Sequence, residues 1–341
     1  MKVTIEELAK QANVSISTVS NVLNNKGNVS DAKREEVLQL AQQLGYDLMK
    51  RRKVKKTQDS DKVLIVFPSH SSQKNMNYYI SEVLLGVEEA FSDTGCTLIV
   101  KSFNDSDDFL PGLLEQGFDG LLLIGGLFPD HFLLQAAELD CPVLTIATYT
   151  LKRAMQAVVA DNQMGVYQAA SHLISMGHAN IGFINGPSTT NTSRSKLQGF
   201  KEALLSAGID PGEAWVTNSE FTLEDSYAAA KRFLALRNRP TALLTGDDRI
   251  AMGAIKLFQE EGISIPGDVA VIGYGNSSSG QYITPALTTV NVFQKKLGRM
   301  GAQRLMDIIE KRKEGIQSDI YRLVQPTELI VRQSCGVAHA K

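Results

Sequence analysis

The chain has 341 residues, 43% of them hydrophobic and 21% charged, which is the composition of a globular protein with room for two or three domains. Its net charge of −2 is unevenly distributed. Residues 1–56 contain eleven Lys/Arg and six Asp/Glu, so their net charge is +5 and that of the remainder is −7. The positive charge of residues 1–56 suits nucleic-acid phosphates. The apolar runs are shorter than the roughly twenty residues of a membrane span, and the N-terminus lacks a signal peptide's hydrophobic region, so we expect a cytoplasmic protein without membrane association.

The first 46 residues predict three short helices around a small apolar core. Thr4 and Glu7 form the reciprocal hydrogen-bonding pattern of a helix start, and Ser15 and Ser30 stand where the second and third helices would be capped. The first two helices meet at a tight corner around Asn13, as in a helix-turn-helix. Apolar residues at helical spacing give each helix one buried face: Ile5, Leu8, Ala9 and Ala12; Val19, Val22 and Leu23; Val37, Leu40, Ala41 and Leu44.

The outer face of the second helix carries the side chains that we expect to read DNA. Ile16, Ser17 and Asn21 lie off its apolar face, where they can meet base edges in the major groove. We expect Ile16 to contact a thymine methyl group and Asn21 to pair with adenine. Five further side chains are placed to bind phosphates, which fixes the register without reading the sequence: Thr4, Ser15, Thr18, Asn24 and Ser30.

A basic segment follows the three helices. Residues 50–56 read KRRKVKK, six positive charges in seven residues, and precede the polar stretch TQDSD. A charge run of this kind is usually a solvated tether. Because this one directly follows a DNA-reading unit, we expect contacts with the sugar-phosphate backbone instead, made by Lys50, Arg51, Arg52 and Lys53.

The string TIEELAKQANVSISTVSNVLNNKGNVSDAKREEVLQLAQQLGY, from Thr4 to Tyr46, resembles the DNA-binding headpiece of the lac repressor (LacI/GalR) family over its full length. The resemblance implies a sequence-specific DNA-binding transcriptional regulator, expected to be a repressor, that binds a pseudo-palindromic operator in double-stranded DNA as a homodimer. Members of that family commonly have arginine where Asn21 stands, and arginine reads guanine whereas asparagine suits adenine. The operator should therefore differ at that base pair.

The resemblance is weaker in the basic segment. In the family this segment forms a hinge helix, preceded by a Pro-Asn pair, that inserts a leucine into the minor groove. Here Leu48-Met49 replaces that pair, and Lys55 falls at the position of the leucine. Two alternatives stay open, namely insertion into the minor groove and electrostatic contact with the phosphates in its place.

From residue 62 onward, short apolar strands alternate with amphipathic helices, which is the pattern of parallel sheets covered on both faces. A first series predicts a helix at 80–94 and strands at 63–69, 96–103, 119–126 and 142–147. A second series predicts strands at 181–186, 215–218, 241–246 and 269–275, and helices at 164–176, 196–207, 225–236 and 249–261. Two doubly wound lobes result, and the cleft outside the carboxyl ends of their strands is the expected ligand site.

The tail resembles the family's two-lobed, periplasmic-binding-protein-like sensor. From Thr288 we expect a strand and a helix to return to the first lobe, and TELIVRQS to rejoin the second, so that the chain crosses between lobes near residues 160, 290 and 325. The expected fold class is a small all-α helix-turn-helix headpiece followed by an α/β two-lobed sensor. The expected domains are a headpiece at 1–46, a basic hinge at 47–61 and a sensor at 62–341, with lobe 1 at 62–159 and 291–324 and lobe 2 at 160–290 and 325–341.

Enzyme signatures are weak in this sequence. GPSTTNTSRSK lacks the Gly-Lys-Ser/Thr ending of a P-loop, and no GxGxxG motif occurs. The adjacent acids Asp247 and Asp248 would point in different directions and suit a helix N-terminus. His172 and His178 lack partners at metal-binding spacing, and the three cysteines are isolated, so we expect no catalytic residue, metal or cofactor. A sugar-binding transport protein and a sugar-metabolising enzyme are the alternatives, and neither explains residues 1–46.

The resemblance also implies an effector site in the cleft. It places an effector-binding arginine at Arg194, in the loop after the strand IGFING, and a stacking aromatic residue at Phe221. It further places a polar residue at Asp247, at the start of a helix beside the cleft, and paired aromatic residues at Tyr78 and Tyr79, at the mouth of the first lobe.

Two departures from the family bear on the effector's charge. Members that bind neutral sugars often carry aspartates where this chain has Ala147 and Gly275, and Asn276 offers donors in their place. A pocket without those acceptors suits sugar hydroxyls less and repels an anion less. We therefore expect a carbohydrate-type effector with negative charge, a sugar phosphate or a sugar acid, bound through the guanidinium group of Arg194.

Overall fold

The computed structural model describes residues 5–23, 29–44, 60–68, 78–103, 109–115, 117–210 and 215–336. Its internal contacts divide the chain into two compact units, Met1–Ser60 and Asp61–Lys341. The first unit is helical where it is described, and the second is an α/β structure with two sheets. The fold class predicted from the sequence is therefore confirmed. None of the helices in these stretches has both the length and the apolar composition needed to cross a membrane.

Three helices form the described part of the first unit: α1 (Ile5–Gln11), α2 (Ile16–Leu23) and α3 (Asp31–Gln43). Asn13, between α1 and α2, has a φ of 49°, and the Ser15 hydroxyl caps α2 by accepting the Thr18 N–H at 3.0 Å. The cap expected from Thr4 lies outside the described residues. The buried side chains agree with the predicted apolar faces: Leu8, Ala9, Ala12, Val19, Val22, Val37 and Ala41.

The second unit alternates strands and helices along the described chain, so that each sheet is covered on both faces. Its strands are β1 (Lys62–Pro68), β2 (Thr97–Phe103), β3 (Gly120–Ile124), β4 (Val143–Ile146), β5 (Gln156–Ala160), β6 (Ile181–Asn185), β7 (Val216–Asn218), β8 (Ala242–Thr245), β9 (Ala270–Tyr274), β10 (Thr288–Asn291), β11 (Arg322–Gln325) and β12 (Glu328–Ile330). Its helices are α4 (Tyr78–Phe91), α5 (Phe109–Leu114), α6 (Asp130–Ala136), α7 (Asn162–Ser175), α8 (Asn191–Ser206), α9 (Leu223–Leu234), α10 (Asp248–Glu260) and α11 (Gln294–Lys313).

The strands form two six-stranded sheets, one in each lobe. The first has the order β11-β5-β4-β3-β1-β2, and all its pairings are parallel. The second has the order β12-β10-β9-β8-β6-β7 and is parallel except that β12 runs antiparallel to β10. Central strands such as β3 and β9 are buried over their whole length, which explains apolar runs without alternation.

The chain passes between the two sheets three times, after Ala160, after Asn291 and after Gln325. After the second passage α11 packs against α4 so closely that a Cβ atom at Gly298 would lie 2.0 Å from the carbonyl oxygen of Val83. Only glycine permits this approach of the two helix backbones. The tight packing of α11 joins this late segment firmly to the first lobe.

Two expectations about the elements are wrong. The strand that begins at Thr288, β10, pairs with β9 and β12 in the second sheet, and only α11 returns to the first lobe. Its partners are distant in sequence, so the local pattern did not indicate which sheet it joins. The helix expected from Lys196 begins at Asn191, because the hydroxyl of Thr190 accepts the Ser193 N–H at 3.1 Å and caps the helix earlier.

Candidate functional site

A cavity of about 150 Å³ lies between the two lobes, at the carboxyl ends of their strands. The first lobe lines it with aromatic and small residues, among them Pro68, Tyr78, Tyr79, Gly125, Gly126, Ala147 and Ala160. The second lobe contributes most of the polar groups, among them Asn162, Thr190, Thr192, Lys196, Asp247, Asp248, Arg249 and Ser277, together with the rings of Phe221 and Tyr274. An apolar lining with a few convergent polar groups is typical of small-molecule sites.

Aromatic rings from both lobes line the cavity. Tyr78 and Tyr79 come from the first turn of α4, and Phe221 precedes α9. Phe221 has a φ of 65°, a conformation that bulky side chains rarely adopt. Its ring lies against the backbone of Gly186, where a Cβ atom would be 2.4 Å from the ring Cζ. The ring of Phe221 is therefore held in one place, as a stacking surface for a ligand requires.

Lys196 supplies a buried positive charge. It lies on the inner face of α8 together with Ser193 and Phe200, which are also buried. Its Nζ donates a hydrogen bond to the carbonyl oxygen of Gly246 at 2.7 Å and lies 3.8 Å from the centroid of the Tyr274 ring. Burial lowers the pKa of Lys196 to about 8, so the ammonium group is still mostly protonated at pH 7.

Asp247 and Arg249 form an ion pair at the start of α10. The Arg249 Nε lies 2.8 Å from Asp247 Oδ1 and its Nη2 lies 3.1 Å from Oδ2. The same carboxylate caps α10 by accepting the Arg249 N–H at 2.9 Å. The guanidinium carbon of Arg249 lies 5.3 Å from the centroid of the Phe221 ring. Both charges line the cavity, and each is largely compensated by the other.

Asp248 is a buried residue of the cavity lining and fastens the loop that follows β9. Its carboxylate accepts hydrogen bonds from the hydroxyl of Thr289 and from the N–H of Ser277, both at 2.5 Å. Burial raises the pKa of this carboxyl to about 6. A Cβ atom at Gly273 would lie 2.2 Å from Asp248 Oδ1, so the carboxylate occupies the space that a side chain would fill. Asp248 therefore holds the loop in place and is not a surface acid.

Four of the six effector residues expected from the sequence, Tyr78, Tyr79, Phe221 and Asp247, line the cavity. Asn276 is not among the lining residues, although its neighbour Ser277 is. The side-chain oxygen of Asn276 accepts a hydrogen bond from Arg332 at 2.7 Å.

Arg194 is not among the residues that line the cavity. It is exposed on the outer face of α8, where its Nη2 donates to the Thr189 carbonyl at 2.9 Å and its Nε to the Thr190 carbonyl at 3.4 Å. The expectation placed it in a loop, but the helix already includes it, and a helix rotates by roughly 200° over two residues. Lys196 therefore faces the cavity where Arg194 does not. Sequence reasoning missed both Lys196 and Arg249, and the helical spacing of Ser193, Lys196 and Phe200 was the available signal.

The outer face of α2 is the second candidate site. Ile16 is 49% exposed, and Ser17 and Asn21 are exposed as well. The hydroxyl of Ser15 lies 2.7 Å from that of Ser17 and 2.8 Å from that of Thr18, in addition to capping the helix. Ser30 is exposed just before α3. The other expected phosphate contacts lie outside the described residues: Thr4, Asn24, Lys50, Arg51, Arg52 and Lys53.

Within the described stretches, no three His, Cys, Asp or Glu side chains are grouped so that they could hold a metal ion.

Two family models match the chain. Residues 4–47 match the model described as bacterial regulatory proteins, lacI family, and residues 170–335 match that of a periplasmic binding protein-like domain. The chain is 33% identical over 321 residues to the HTH-type transcriptional repressor PurR of Edwardsiella ictaluri (strain 93-146), a match that covers 92% of this chain and 93% of that protein. It is 32% identical over 330 residues to PurR of Klebsiella pneumoniae (strain 342), with 94% of this chain and 95% of that protein covered.

Solved structures of transcriptional regulators also resemble this chain. A complex of the transcriptional regulator CelR with cellobiose is 30% identical, with a TM-score of 0.74, and the match covers 98% of this chain and all (100%) of that one. The lac repressor dimer bound to operator and the anti-inducer ONPF is 22% identical, with a TM-score of 0.72 and coverage of 99% of this chain and 100% of that one, a likeness of fold.

Proposed function

Because the chain belongs to the lacI family of bacterial regulatory proteins and is a DNA-binding transcriptional repressor, we propose that its operator binding is controlled by a negatively charged carbohydrate effector in the cavity between the lobes. Effector and operator would then bias one shared equilibrium between conformations of the sensor. The effector would be a sugar phosphate or a sugar acid.

The observation that carries this proposal is the position of Lys196. Its ammonium group is buried in the cavity beside two uncharged groups, the Gly246 carbonyl and the Tyr274 ring. The first turn of the same helix presents Thr192 to the cavity, and the N-terminus of a helix favours negative charge. Arg249, by contrast, is already paired with Asp247. Lys196 thus takes, in our proposal, the role that the sequence alone gave to Arg194.

The rest of the lining suits a sugar ring. Tyr78 and Phe221 offer aromatic faces from opposite lobes, and Asn162, Thr190 and Thr192 offer polar side chains. Ala147 and Gly275 line the cavity where neutral-sugar binders of the family often carry aspartates. A neutral sugar is the second candidate, because the related regulator CelR is seen in complex with cellobiose.

Calorimetric titration of the full-length protein separates the two candidates. Sugar phosphates, sugar acids and neutral sugars including cellobiose would each be titrated into the unmodified protein, Lys196→Met and Arg194→Met. We expect an anionic sugar to bind the unmodified protein and to bind Lys196→Met at least tenfold more weakly, since a charge-assisted hydrogen bond contributes about 1.5–3 kcal/mol. The Arg194→Met protein should bind it nearly as well as the unmodified protein. Binding of neutral sugars alone, or a larger loss in Arg194→Met than in Lys196→Met, would contradict the proposal.

For the DNA side we propose a homodimer whose two headpieces bind a pseudo-palindromic operator. Ile16, Ser17 and Asn21 would contact bases. Phosphate contacts would come from Thr4, Ser15, Thr18, Asn24, Ser30, Lys50, Arg51, Arg52 and Lys53. Large apolar side chains are exposed on both lobes and offer a surface for the second copy, among them Leu85 (46%), Val100 (47%), Leu223 (51%) and Tyr282 (81%).

A further inference from the structure

The side-chain amide of Gln294, at the start of α11, donates to the main-chain oxygen of Gly275 beside the second passage of chain. Among the described residues, two further hydrogen bonds join the lobes across the cleft. In the first, the hydroxyl of Tyr78, in the first turn of α4, donates to the main-chain oxygen of Asn276, in the loop after β9, at 3.3 Å. In the second, the side-chain amide of Asn191, the first residue of α8, donates to the main-chain oxygen of Tyr149, which follows β4. Each bond therefore runs between an element of one lobe and a loop of the other.

An arginine fixes the accepting loop of the first bond. Asn276 has a φ of 51°, a left-handed conformation, and its side-chain oxygen accepts from Arg332 Nη2 at 2.7 Å. The other guanidinium nitrogen of Arg332 donates to the Leu287 carbonyl at 2.6 Å, and its main-chain N–H donates to the Thr288 hydroxyl at 2.8 Å. Arg332 therefore ties the loop of Asn276 to the segment that follows β12.

A second arginine lies against the accepting loop of the other bond. The guanidinium carbon of Arg322, the first residue of β11, is 3.8 Å from the centroid of the Tyr149 ring. Arg322 and Arg332 stand on either side of the third passage between the lobes, which runs from Gln325 to Glu328. Both accepting loops are thus supported from one short stretch of chain that belongs to both lobes.

We propose, building on the effector-controlled repressor described above, that the bonds Tyr78–Asn276 and Asn191–Tyr149 act as one interlobe latch that stabilises the closed arrangement, and that Arg322 and Arg332 are positioning residues for it. The two lobes are packed sheets that move as bodies, so opening the cleft breaks both bonds together. Each bond shifts the balance between open and closed lobes by about two- to tenfold, the range of a single net hydrogen bond.

Hydrogen–deuterium exchange of the full-length protein, without effector or DNA, tests the latch. We expect Tyr78→Phe to raise exchange by about two- to tenfold in peptides covering 274–280 and also in peptides covering 145–152 and 188–195, on the other bond. Asn191→Ala should produce the reciprocal effect at 274–280. The matched control is Tyr321→Phe, which removes a tyrosine hydroxyl bonded to Asp319 at 3.1 Å within one lobe, and it should leave all three regions unchanged.

Hydrogen–deuterium exchange around the other hydrogen bond of the latch also tests the positioning residues. Arg332→Met should speed exchange at 145–152, and Arg322→Met at 274–280, whereas a residue that only supports its own loop would change exchange locally. Exchange that rises only beside each substitution, or not at all, would overturn the latch. Because no sugar is present, that result would leave the anionic-effector proposal to the calorimetric titration, and a failed titration would likewise leave the latch standing.

Discussion

Arg194 and Lys196 are two positions apart on α8, and this difference decides which of them lines the cavity. A helix rotates by roughly 100° per residue, so the two side chains project from nearly opposite faces. Arg194 donates to the carbonyls of Thr189 and Thr190, is exposed, and does not line the cavity. The ammonium group of Lys196 is buried away from water and contacts the Gly246 carbonyl oxygen and the Tyr274 ring instead. An incoming anion would give the buried ammonium group of Lys196 a charged partner, whereas the guanidinium group of Arg194 is exposed to water.

The lowered pKa of Lys196 predicts a pH dependence of effector binding. An anionic sugar binds the protonated ammonium group of Lys196. In the free protein this group loses its proton as the pH rises through about 8. Bound anion favours the charged form, so above pH 8 binding must take up a proton, and affinity should fall by up to about tenfold per pH unit. As the pH falls from 8 to 7 the affinity should level off, because the ammonium group is then mostly protonated. Calorimetric titrations between pH 7 and 9.5 measure this.

The control for this pH dependence is the variant Lys196→Arg, whose guanidinium group stays charged between pH 7 and 9.5. The affinity of the Lys196→Arg variant for the anionic sugar should stay constant across this pH range, whatever its absolute value. Burial raises the pKa of Asp248 only to about 6 and that of Tyr274 well above 10, so neither group changes its charge between pH 7 and 9.5. Asp247 and Arg249, whose charges also act on Lys196, are paired with each other. A wild-type profile as flat as that of the variant would mean that Lys196 does not bind the anion.

At the scale of elements, periodicity predicted which helices and strands exist, but it did not fix where each begins or which sheet it joins. The stretch before α8 contains several hydroxyl side chains that can cap a helix, and only the folded chain selects Thr190. The cavity residues on α8 follow from that start, which is why Lys196 was missed. The strand β10 joins the second sheet through pairings with β9 and β12, which local sequence does not encode. Phe221 and Asp247, in contrast, adjoin elements whose order was evident, and they line the cavity as expected.

The helix α2 carries a prediction about operator sequence. Asn21 is exposed on its outer face, while Val19 and Val22 are buried, so position 21 can be changed without disturbing the headpiece core. Asparagine pairs with adenine and arginine with guanine in the major groove. In selection from random duplex DNA, Asn21→Arg should shift the preferred base at one position per half-site from adenine to guanine, with a discrimination of about 1–3 kcal/mol.

Asn21→Ala provides the comparison for that selection. It should relax the preference at the same position without creating a new one. A shift at several positions in Asn21→Arg, or none in either variant, would mean that α2 does not read that base through residue 21.

At the scale of the whole molecule, the sensor responds as a unit because its lobes share three passages of chain and, in our proposal, one latch. The headpiece is a separate unit with its own core. In the proposed homodimer, two linked headpieces would bind DNA more tightly than a single one. A single headpiece spans one half-site, and a pseudo-palindrome requires two. In the proposed homodimer, operator binding would therefore depend on association of the two sensors.

The proposed homodimer predicts that a charge at Tyr282 weakens operator binding without unfolding the sensor. Tyr282 is 81% exposed, so Tyr282→Asp should change stability by less than about 0.5 kcal/mol. The loop that carries it contacts α10 through the bond from Gln259 to the Thr284 carbonyl at 2.7 Å, and the start of α9 with Leu223 approaches α10 at Gly253. These exposed side chains thus lie around one helix, and a buried unpaired carboxylate there would oppose association.

Sedimentation velocity should show Tyr282→Asp as a monomer at concentrations where the unmodified protein is a dimer. The operator affinity of this variant should fall at least tenfold and become steeply dependent on protein concentration. Leu205→Asp, which places the same charge on an exposed apolar residue of α8, is the matched control and should remain dimeric. Unchanged sedimentation of Tyr282→Asp would place the dimer interface elsewhere on the sensor. Equal loss in both variants would point to a general effect of surface charge.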